Sequence, residues 1–250
     1  MATWPDGYDR VVYDTIDSTN LEARRRLETA PGPCWILAHA QTAGIGRRGR
    51  VWSTQHGNFA ATLLQPLTMP LNQAALQSFT AALALRDAFL AVGGKADDFA
   101  LKWPNDVLLK GGKVAGILLE TMGTGPSHLC IGIGVNLAHA PSVTALEATA
   151  TPPKSLAGDA GLQVSAETFL EALAAAYETR QMQFQQGGFA AIRRDWLKHA
   201  VKLGEQITAR TVTQEIIGRF ETVDETGALV LHTRQGPRQI TAAEIFFGEG

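Results

Sequence analysis

Cysteine is scarce in this 250-residue chain. Cys34 and Cys130 are too few for a disulfide framework and show no metal-ligand spacing, so a reducing compartment is expected. No window approaches 18 uncharged apolar residues, which excludes a membrane-spanning helix. The opening Met-Ala-Thr-Trp-Pro-Asp lacks a basic stretch followed by an apolar one, so no secretory leader is expected and a cytoplasmic location is. Neither sign of charge dominates: the formal net charge is −2, which argues against general nucleic-acid binding. A hydrophobic content of 45% and a charged content of 18% are ordinary for a globular chain long enough for one large domain and a small one. The most telling absence is local. No Asp or Glu occurs from Thr29 through Arg86.

Inside that acid-free stretch lies Gln41-Thr-Ala-Gly44-Ile45-Gly46-Arg47-Arg48-Gly49-Arg50-Val-Trp52, where three glycines and three arginines fill six of the seven positions from Gly44 to Arg50. Glycine lets a backbone approach a ligand closely. Arginine brings five donors in a rigid fork suited to phosphate and carboxylate oxygens, and Trp52 offers a flat face for stacking. The pattern points to an anion-holding loop; the alternative is a solvated basic turn or a nucleic-acid patch. Like charges and few local contacts predict a loop that is mobile when empty and folds over its ligand.

Along the chain, Val11–Tyr13 reads as a short strand. Asp17-Ser18-Thr19-Asn20 before Leu21–Leu27 marks a helix N-terminus. Those polar side chains either cap the helix alone or also bind a ligand beside its free N–H groups. Cys34–Ala38 and Asn58–Leu64 read as strands, and Leu71–Val92 as one core helix ending at Gly93-Gly94. In Leu101-Lys102-Trp103-Pro104-Asn105-Asp106 a lysine stands at a strand start, and Pro104 points to an edge or a bulge. Gly111-Gly112 joins Val107–Lys110 to Lys113–Glu120 as a hairpin, and Gly116 within the second strand suggests close approach of a ligand. Cys130–Asn136 is a further strand with alternating glycines; it lacks the third glycine and following helix of a dinucleotide fingerprint. Residues 138–164 read as surface connection, and 166–185 and 189–200 as two helices. The short runs 206–210, 216–222, 228–232 and 238–240 predict a small β-domain leaning on the larger one.

Taken together, Asp17–Asn20, Gln41–Trp52, Lys102–Asp106, Lys113-Val-Ala-Gly-Ile-Leu118 and Ile131–Asn136 resemble, in order and spacing, the biotin protein ligases, from about residue 10 to residue 137. The small C-terminal β-domain matches as well. The resemblance implies an α+β fold: a class II aminoacyl-tRNA synthetase-like mixed sheet with flanking helices over residues 1–200, and an SH3-like β-barrel over 201–250. It implies that biotin and ATP give biotinyl-5′-adenylate and pyrophosphate, and that the biotinyl group then passes to a lysine of a biotin carboxyl carrier protein. Joining two anions demands a cluster of fixed positive charge.

By resemblance, Lys102 would bridge the carboxylate and the α-phosphate, with Arg47, Lys113 and Asp106 completing the catalytic set. Arg47 would hold the biotin end and Arg50 the nucleotide phosphates, while Asp106 would orient the carrier lysine or accept its proton. Ser18, Thr19 and Gln41 would hydrogen-bond the ureido ring and Asn20 brace that wall. Gly44, Ile45, Gly46, Arg47 and Gly116 would line biotin, and Trp52, Asn105 and Asn136 would serve the adenylate with Arg47, Arg50, Lys102 and Lys113. Magnesium is implied as the companion of ATP, with no protein cage of its own.

One departure stands out: the family's loop usually reads Gly-Arg-Gly-Arg, and Ile45 cannot supply the charge of that first arginine. About ten residues precede the first strand, so the DNA-binding domain of some members is expected to be absent, and specific DNA binding with it. A monomer and a homodimer are both compatible. A lipoate- or octanoate-transferring enzyme is the nearest rival, but it would not need the Lys102–Asp106 segment together with the arginine loop. A non-catalytic biotin sensor or repressor would not need both Lys102 and Lys113.

Overall fold

The structure is a computed structural model and describes residues 3–30, 32–123, 125–142 and 151–247. A seven-stranded sheet is built from β1 (Asp9–Ile16), β2 (Cys34–Gln41), β3 (Phe59–Pro66), β4 (Phe99–Lys102), β5 (Asp106–Leu109), β6 (Gly112–Met122) and β7 (His128–Val135), in the spatial order β1-β2-β3-β7-β6-β5-β4. β1 and β2 are parallel and the other pairs antiparallel. Successive side chains of a strand point to opposite faces. Trp35, Leu37, Phe59, Ala61, Leu63, Ile131, Ile133 and Val135 therefore enter the main core, while Cys34, Ile36, Leu64 and Cys130 pack with Ala23 on the other face.

Two helices cover the main-core face: α3 (Gln77–Ala91) and α5 (Ala166–Lys198), with α1 (Thr19–Arg25), α2 (Leu71–Ala74) and α4 (Leu156–Ala160) completing the helical set. Phe79 meets the rings of Phe189 and Trp196 edge-on at 5.1 and 5.2 Å, and Arg180 of α5 joins α3 through Asp87 at 2.6 Å while bridging the bend of its own helix to Asp195 at 3.2 Å. The opposite face carries α1. Ser18 caps it, its Oγ accepting the Asn20 N–H at 3.3 Å.

The helical elements meet expectation in one place and depart from it in two. The helix foreseen over 71–92 is two, α2 and α3, and the turn between them lets both Ala74 and Leu76 reach the core. The two helices expected over 166–185 and 189–200 are present as the two arms of α5, which Gly188 separates with a non-helical φ of 62° and ψ of −171° that glycine tolerates. The stretch read as surface connection contains α4, capped by Ser155 and anchored by the buried Leu156; residues 143–150 lie outside the described residues.

The C-terminal unit is a five-stranded antiparallel sheet of β8 (Gln206–Arg210), β9 (Glu215–Val223), β10 (Leu229–Thr233), β11 (Gly236–Ile240) and β12 (Glu244–Phe246), ordered β11-β10-β9-β8-β12. Its Phe220, Leu229, Leu231 and Ile245 share the main core with Leu76 and Phe79. Trp103 Nε1 donates to the Gly227 carbonyl at 3.0 Å. The small sheet thus packs against the start of α3 and the Trp103 turn, and β12, too short to show in the sequence pattern, is one of its two edge strands. Among the described residues no helix is long and apolar enough to cross a membrane.

Candidate active site

Lys102 ends β4 and Asp106 opens β5, so Trp103-Pro104-Asn105 is a hairpin turn at the sheet edge, where the sequence had suggested the start of a strand. That turn sets Lys102 directly across from Asp106. The pairing continues: Asp106 faces Gly116 on β6, Gly116 faces Gly134 on β7, and Gly134 faces Ala60 on β3. One transverse row thus crosses five strands, roughly 19 Å at ordinary strand spacing. It is the floor of a cavity of about 690 Å³, within the usual size range of small-molecule sites.

The glycines keep this floor low. A β-carbon on Gly134 would overlap the Trp52 ring, and one on Gly116 would lie 3.3 Å from Lys113 Nζ. Gly132 does the same for α1, since a β-carbon there would lie 2.5 Å from Asn20 Oδ1. The alternating glycines of β7 are therefore the positions that face the cavity, and Ile131, Ile133 and Val135 between them face the core.

One end of the cavity is neutral. Thr19 N–H donates to Gln41 Oε1 at 2.8 Å, and Gln41 Nε2 donates to Thr54 Oγ1 at 3.1 Å. Ser18, Thr19 and Asn20 are all buried there.

Charge gathers at the other end. Lys113 Nζ lies 2.6 Å from Asp106 Oδ1 and 5.6 Å from the centroid of the Trp52 ring. Lys102 is only 7% exposed; its ammonium donates to Thr151 Oγ1 at 2.5 Å and lies 4.9 Å from the Phe247 ring. Burial holds the Lys102 pKa below the ordinary lysine value, with Asp106 opposing the shift and Lys113 adding to it. Arg47, also lowered chiefly by burial, donates to Asn105 Oδ1 at 2.9 Å, and Asn105 Nδ2 donates to the Ile117 carbonyl at 2.7 Å. Asn136 Nδ2 donates to the Lys154 carbonyl at 3.0 Å.

The arginine loop closes on itself through a bridge between Ile45 and Val51, with Gly46 N–H donating to the Arg50 carbonyl at 2.8 Å. Its outward arginines have a partner that sequence proximity could not show. Glu244 on β12 accepts from Arg50 at 2.6 Å and from Arg48 at 3.5 Å. The loop's contacts are thus richer than its local sequence suggests.

Ser18, Thr19, Asn20, Gln41, Ile45, Gly46, Arg47, Arg50, Trp52, Lys102, Asn105, Asp106, Lys113, Gly116 and Asn136 all line this one cavity. Gly44 is the exception among the expected residues. It is buried behind the loop, accepting the Trp52 N–H at 2.9 Å, and a β-carbon on it would lie 2.7 Å from Gln41 Nε2. Glu244 and Thr151 line the cavity and were not anticipated. No local motif marks either. Among the described residues no group of His, Cys, Asp and Glu is arranged to hold a metal ion.

Comparison with known proteins identifies the family. Residues 12–136 match the Biotin/lipoate A/B protein ligase family, and residues 202–248 match the Biotin protein ligase C terminal domain. A biotin--[acetyl-CoA-carboxylase] ligase of Paracoccus denitrificans is 52% identical over 235 residues, covering 93% of this chain and 98% of that one. In fold, the chain is similar to a mutant biotin protein ligase of Aquifex aeolicus in complex with biotin, with a TM-score of 0.81 at 22% identity over 96% of this chain and 99% of that one. The Aquifex aeolicus ligase in complex with biotin and ATP gives a TM-score of 0.77 at 22% identity, over 95% and 97% of the two chains. With both regions matched in order, and a relative more than half identical along nearly its whole length, this chain belongs to the biotin/lipoate A/B protein ligase family, as a biotin protein ligase.

Proposed function

We propose that the transverse row is where biotin is joined to ATP and from which it passes to a carrier protein. The observation that carries this reading is a single cavity with a neutral polar end and a cationic end, which suits a ligand with an uncharged ureido ring and a carboxylate. Ser18, Thr19 and Gln41 receive the ring, with Asn20 bracing them. Lys113 over the middle of the floor and Lys102 at its far end neutralise the carboxylate and the α-phosphate together, so that a carboxylate oxygen can attack phosphorus and pyrophosphate can leave. Arg47 holds the biotin side through its bond to Asn105, and Arg50 exchanges Glu244 for phosphate oxygens. Trp52, Asn105 and Asn136 border the adenylate, and magnesium arrives on ATP. In the second step the amine of a carrier lysine attacks the acyl carbon and AMP leaves; Asp106 orients that amine or takes its proton.

In this reading residues 1–200 form a catalytic domain of class II synthetase type and 201–250 an SH3-like domain that helps close the site. The acceptor is a biotin carboxyl carrier protein of a biotin-dependent carboxylase, in the cytoplasm. The deciding experiment incubates the protein with ATP, magnesium and biotin, lipoate or octanoate, and follows pyrophosphate. Release with biotin is expected; release with octanoate or lipoate and none with biotin would overturn the assignment.

Two further results are expected. Lys102 must be protonated to meet two anions, and burial has lowered its pKa. The kcat/KM of pyrophosphate release should therefore fall as pH rises through that lowered value, and Lys102→Arg, which stays charged, should move the alkaline limb upward. An unchanged limb in Lys102→Arg would place the titration on another group.

The second result concerns the arginine loop. Arg50 is 63% exposed in its ion pair with Glu244, and such pairs contribute about 0–1 kcal/mol. Ordering seven backbone residues costs roughly 7–14 kcal/mol, so bound anions should still tighten the loop. Biotin with ATP should slow trypsin cleavage after Arg47, Arg48 and Arg50 by about tenfold or more, an increment near 1.4 kcal/mol. Equal rates with and without ligand would mean that the loop gains no order on binding.

A further inference from the structure

Thr62 sits in the middle of β3, fully buried and outside the cavity lining. We infer that it is a positioning residue that sets the hydrogen-bond polarity of the ureido wall, making Thr19 Oγ1 an acceptor for a ligand N–H. The inference rests on the reading that Ser18, Thr19 and Gln41 receive the ureido ring.

The geometry is a chain of short contacts that crosses three strands. The Asn20 side chain lies over Gly132 of β7, which pairs with Thr62 on one side and Leu118 of β6 on the other. Asn20 Nδ2 donates to the Glu120 carboxylate at 2.7 Å. A carboxylate can only accept, so the amide is oriented and its Oδ1 is the end that faces Thr62, 2.5 Å from Thr62 Oγ1. Thr62 has one hydroxyl proton, and Asn20 Oδ1 has none to give, so the proton of that contact is Thr62's.

The consequence falls on Thr19. Thr62 Oγ1 also lies 2.8 Å from Thr19 Oγ1, and either hydroxyl could supply the proton between them. With Thr62's proton committed to Asn20, Thr19 must supply it. The other acceptor within reach of the Thr19 hydroxyl, Gln41 Oε1, is farther at 3.1 Å and already accepts the Thr19 backbone N–H at 2.8 Å. Thr19 therefore turns its proton inward to Thr62 and presents lone pairs to the cavity.

A ligand N–H is matched there, and a ligand carbonyl is repelled. Ser18 Oγ accepts the Asn20 N–H at 3.3 Å and keeps its own proton to offer, so the ureido carbonyl is directed away from Thr19 toward donors. All three relay members on the protein's inner side are buried, with Thr62, Thr19 and Asn20 at 0%, 4% and 7% exposure. Water is therefore not at hand to satisfy a reversed polarity.

The test uses the full chain and steady-state pyrophosphate release, with biotin and ATP varied separately. Thr62→Val keeps the shape and removes the proton. It should raise KM for biotin about tenfold, the size of one lost buried hydrogen bond, with kcat and KM for ATP within about threefold, and Thr62→Ser should restore the wild-type values. Glu120→Gln, at a partly buried position, replaces the acceptor-only carboxylate with an amide that can either accept or donate, so Asn20 is no longer held in one orientation and KM for biotin should also rise; it decides the matter if Thr62→Val does not fold. A rise in KM for ATP equal to that for biotin, or no rescue by serine, would show a structural role and overturn the inference. Gln41→Met separates this from the underlying reading. If it raises KM for biotin while Thr62→Val and Glu120→Gln do not, the relay is overturned alone. If it leaves KM for biotin unchanged, the ureido wall itself is misplaced and the relay falls with it.

Discussion

Lys102→Ala is expected to lower biotin-dependent pyrophosphate release by about 10²–10³-fold, the effect of losing one preorganised donor to developing negative charge, about 2.7–4 kcal/mol. The group is placed for that work by the hairpin turn at Trp103–Asn105, which sets it across from Asp106 at one end of the row. Its nearest hydrogen-bond partner is the neutral Thr151 hydroxyl at 2.5 Å, so truncation leaves no carboxylate stranded beside it. Removing a largely buried charge relieves a desolvation cost, and the thermal midpoint should therefore hold or rise. Biotin transfer from preformed adenylate should suffer less than adenylate formation, because the two anions have already been joined. A variant that keeps more than about a tenth of the wild-type rate, a loss under roughly 1.4 kcal/mol, would remove Lys102 from the catalytic set.

Gly134→Val should abolish ligand binding while leaving the sheet intact. Valine suits a strand paired on both sides, and Gly134 lies between Ala60 of β3 and Gly116 of β6. The cost falls on the cavity: any β-carbon at 134 overlaps the Trp52 ring, whose edge also lies 3.4 Å from where a β-carbon of Gly116 would be. Trp52 must leave the floor, and with it goes the surface over which the reacting groups meet. Calorimetry with a non-hydrolysable biotinyl-adenylate analogue should show a loss of about 100-fold or more, roughly 2.7 kcal/mol. Ile133→Val, one residue away on the core face, is the contrast. It should lower stability by about 0.5–1.5 kcal/mol and leave affinity nearly unchanged. Binding by Gly134→Val within tenfold of wild type would mean that the row is not the floor of the site.

Much of the site could be read from residue types alone. The glycine at 116 marked close approach because a glycine inside a strand gives up a side chain that would otherwise pack. Ser18 announces a helix start because its hydroxyl can satisfy an otherwise orphaned N–H. The arginines of the loop signal anion binding through charge density without nearby acids. Other features could not be read. The Lys102 segment looked like a strand start because Leu101 and Val107 flank it with strand-forming residues; the chain reversal depends on Asn105 meeting β6, where its Nδ2 donates to the Ile117 carbonyl and its own carbonyl accepts the Ile117 N–H. The break between α2 and α3 follows from the need to bury both Ala74 and Leu76, which no periodicity within the segment encodes.

The sequence by itself determined which chemistry was available: a loop that can cradle anions, two lysines and a carboxylate in short motifs, neutral polar groups at a helix cap, and strands whose alternate positions are glycine. These are short-range matters of backbone freedom, charge and hydrogen-bond capacity. Only the tertiary structure decided that Lys102, Asp106, Gly116, Gly134 and Ala60 form one row, that Glu244 on the last strand meets Arg48 and Arg50, and that Thr62 stands behind Thr19. Register between distant strands is set by burying one whole face of the sheet at once, so which residues become neighbours across it depends on every core side chain and on no local stretch.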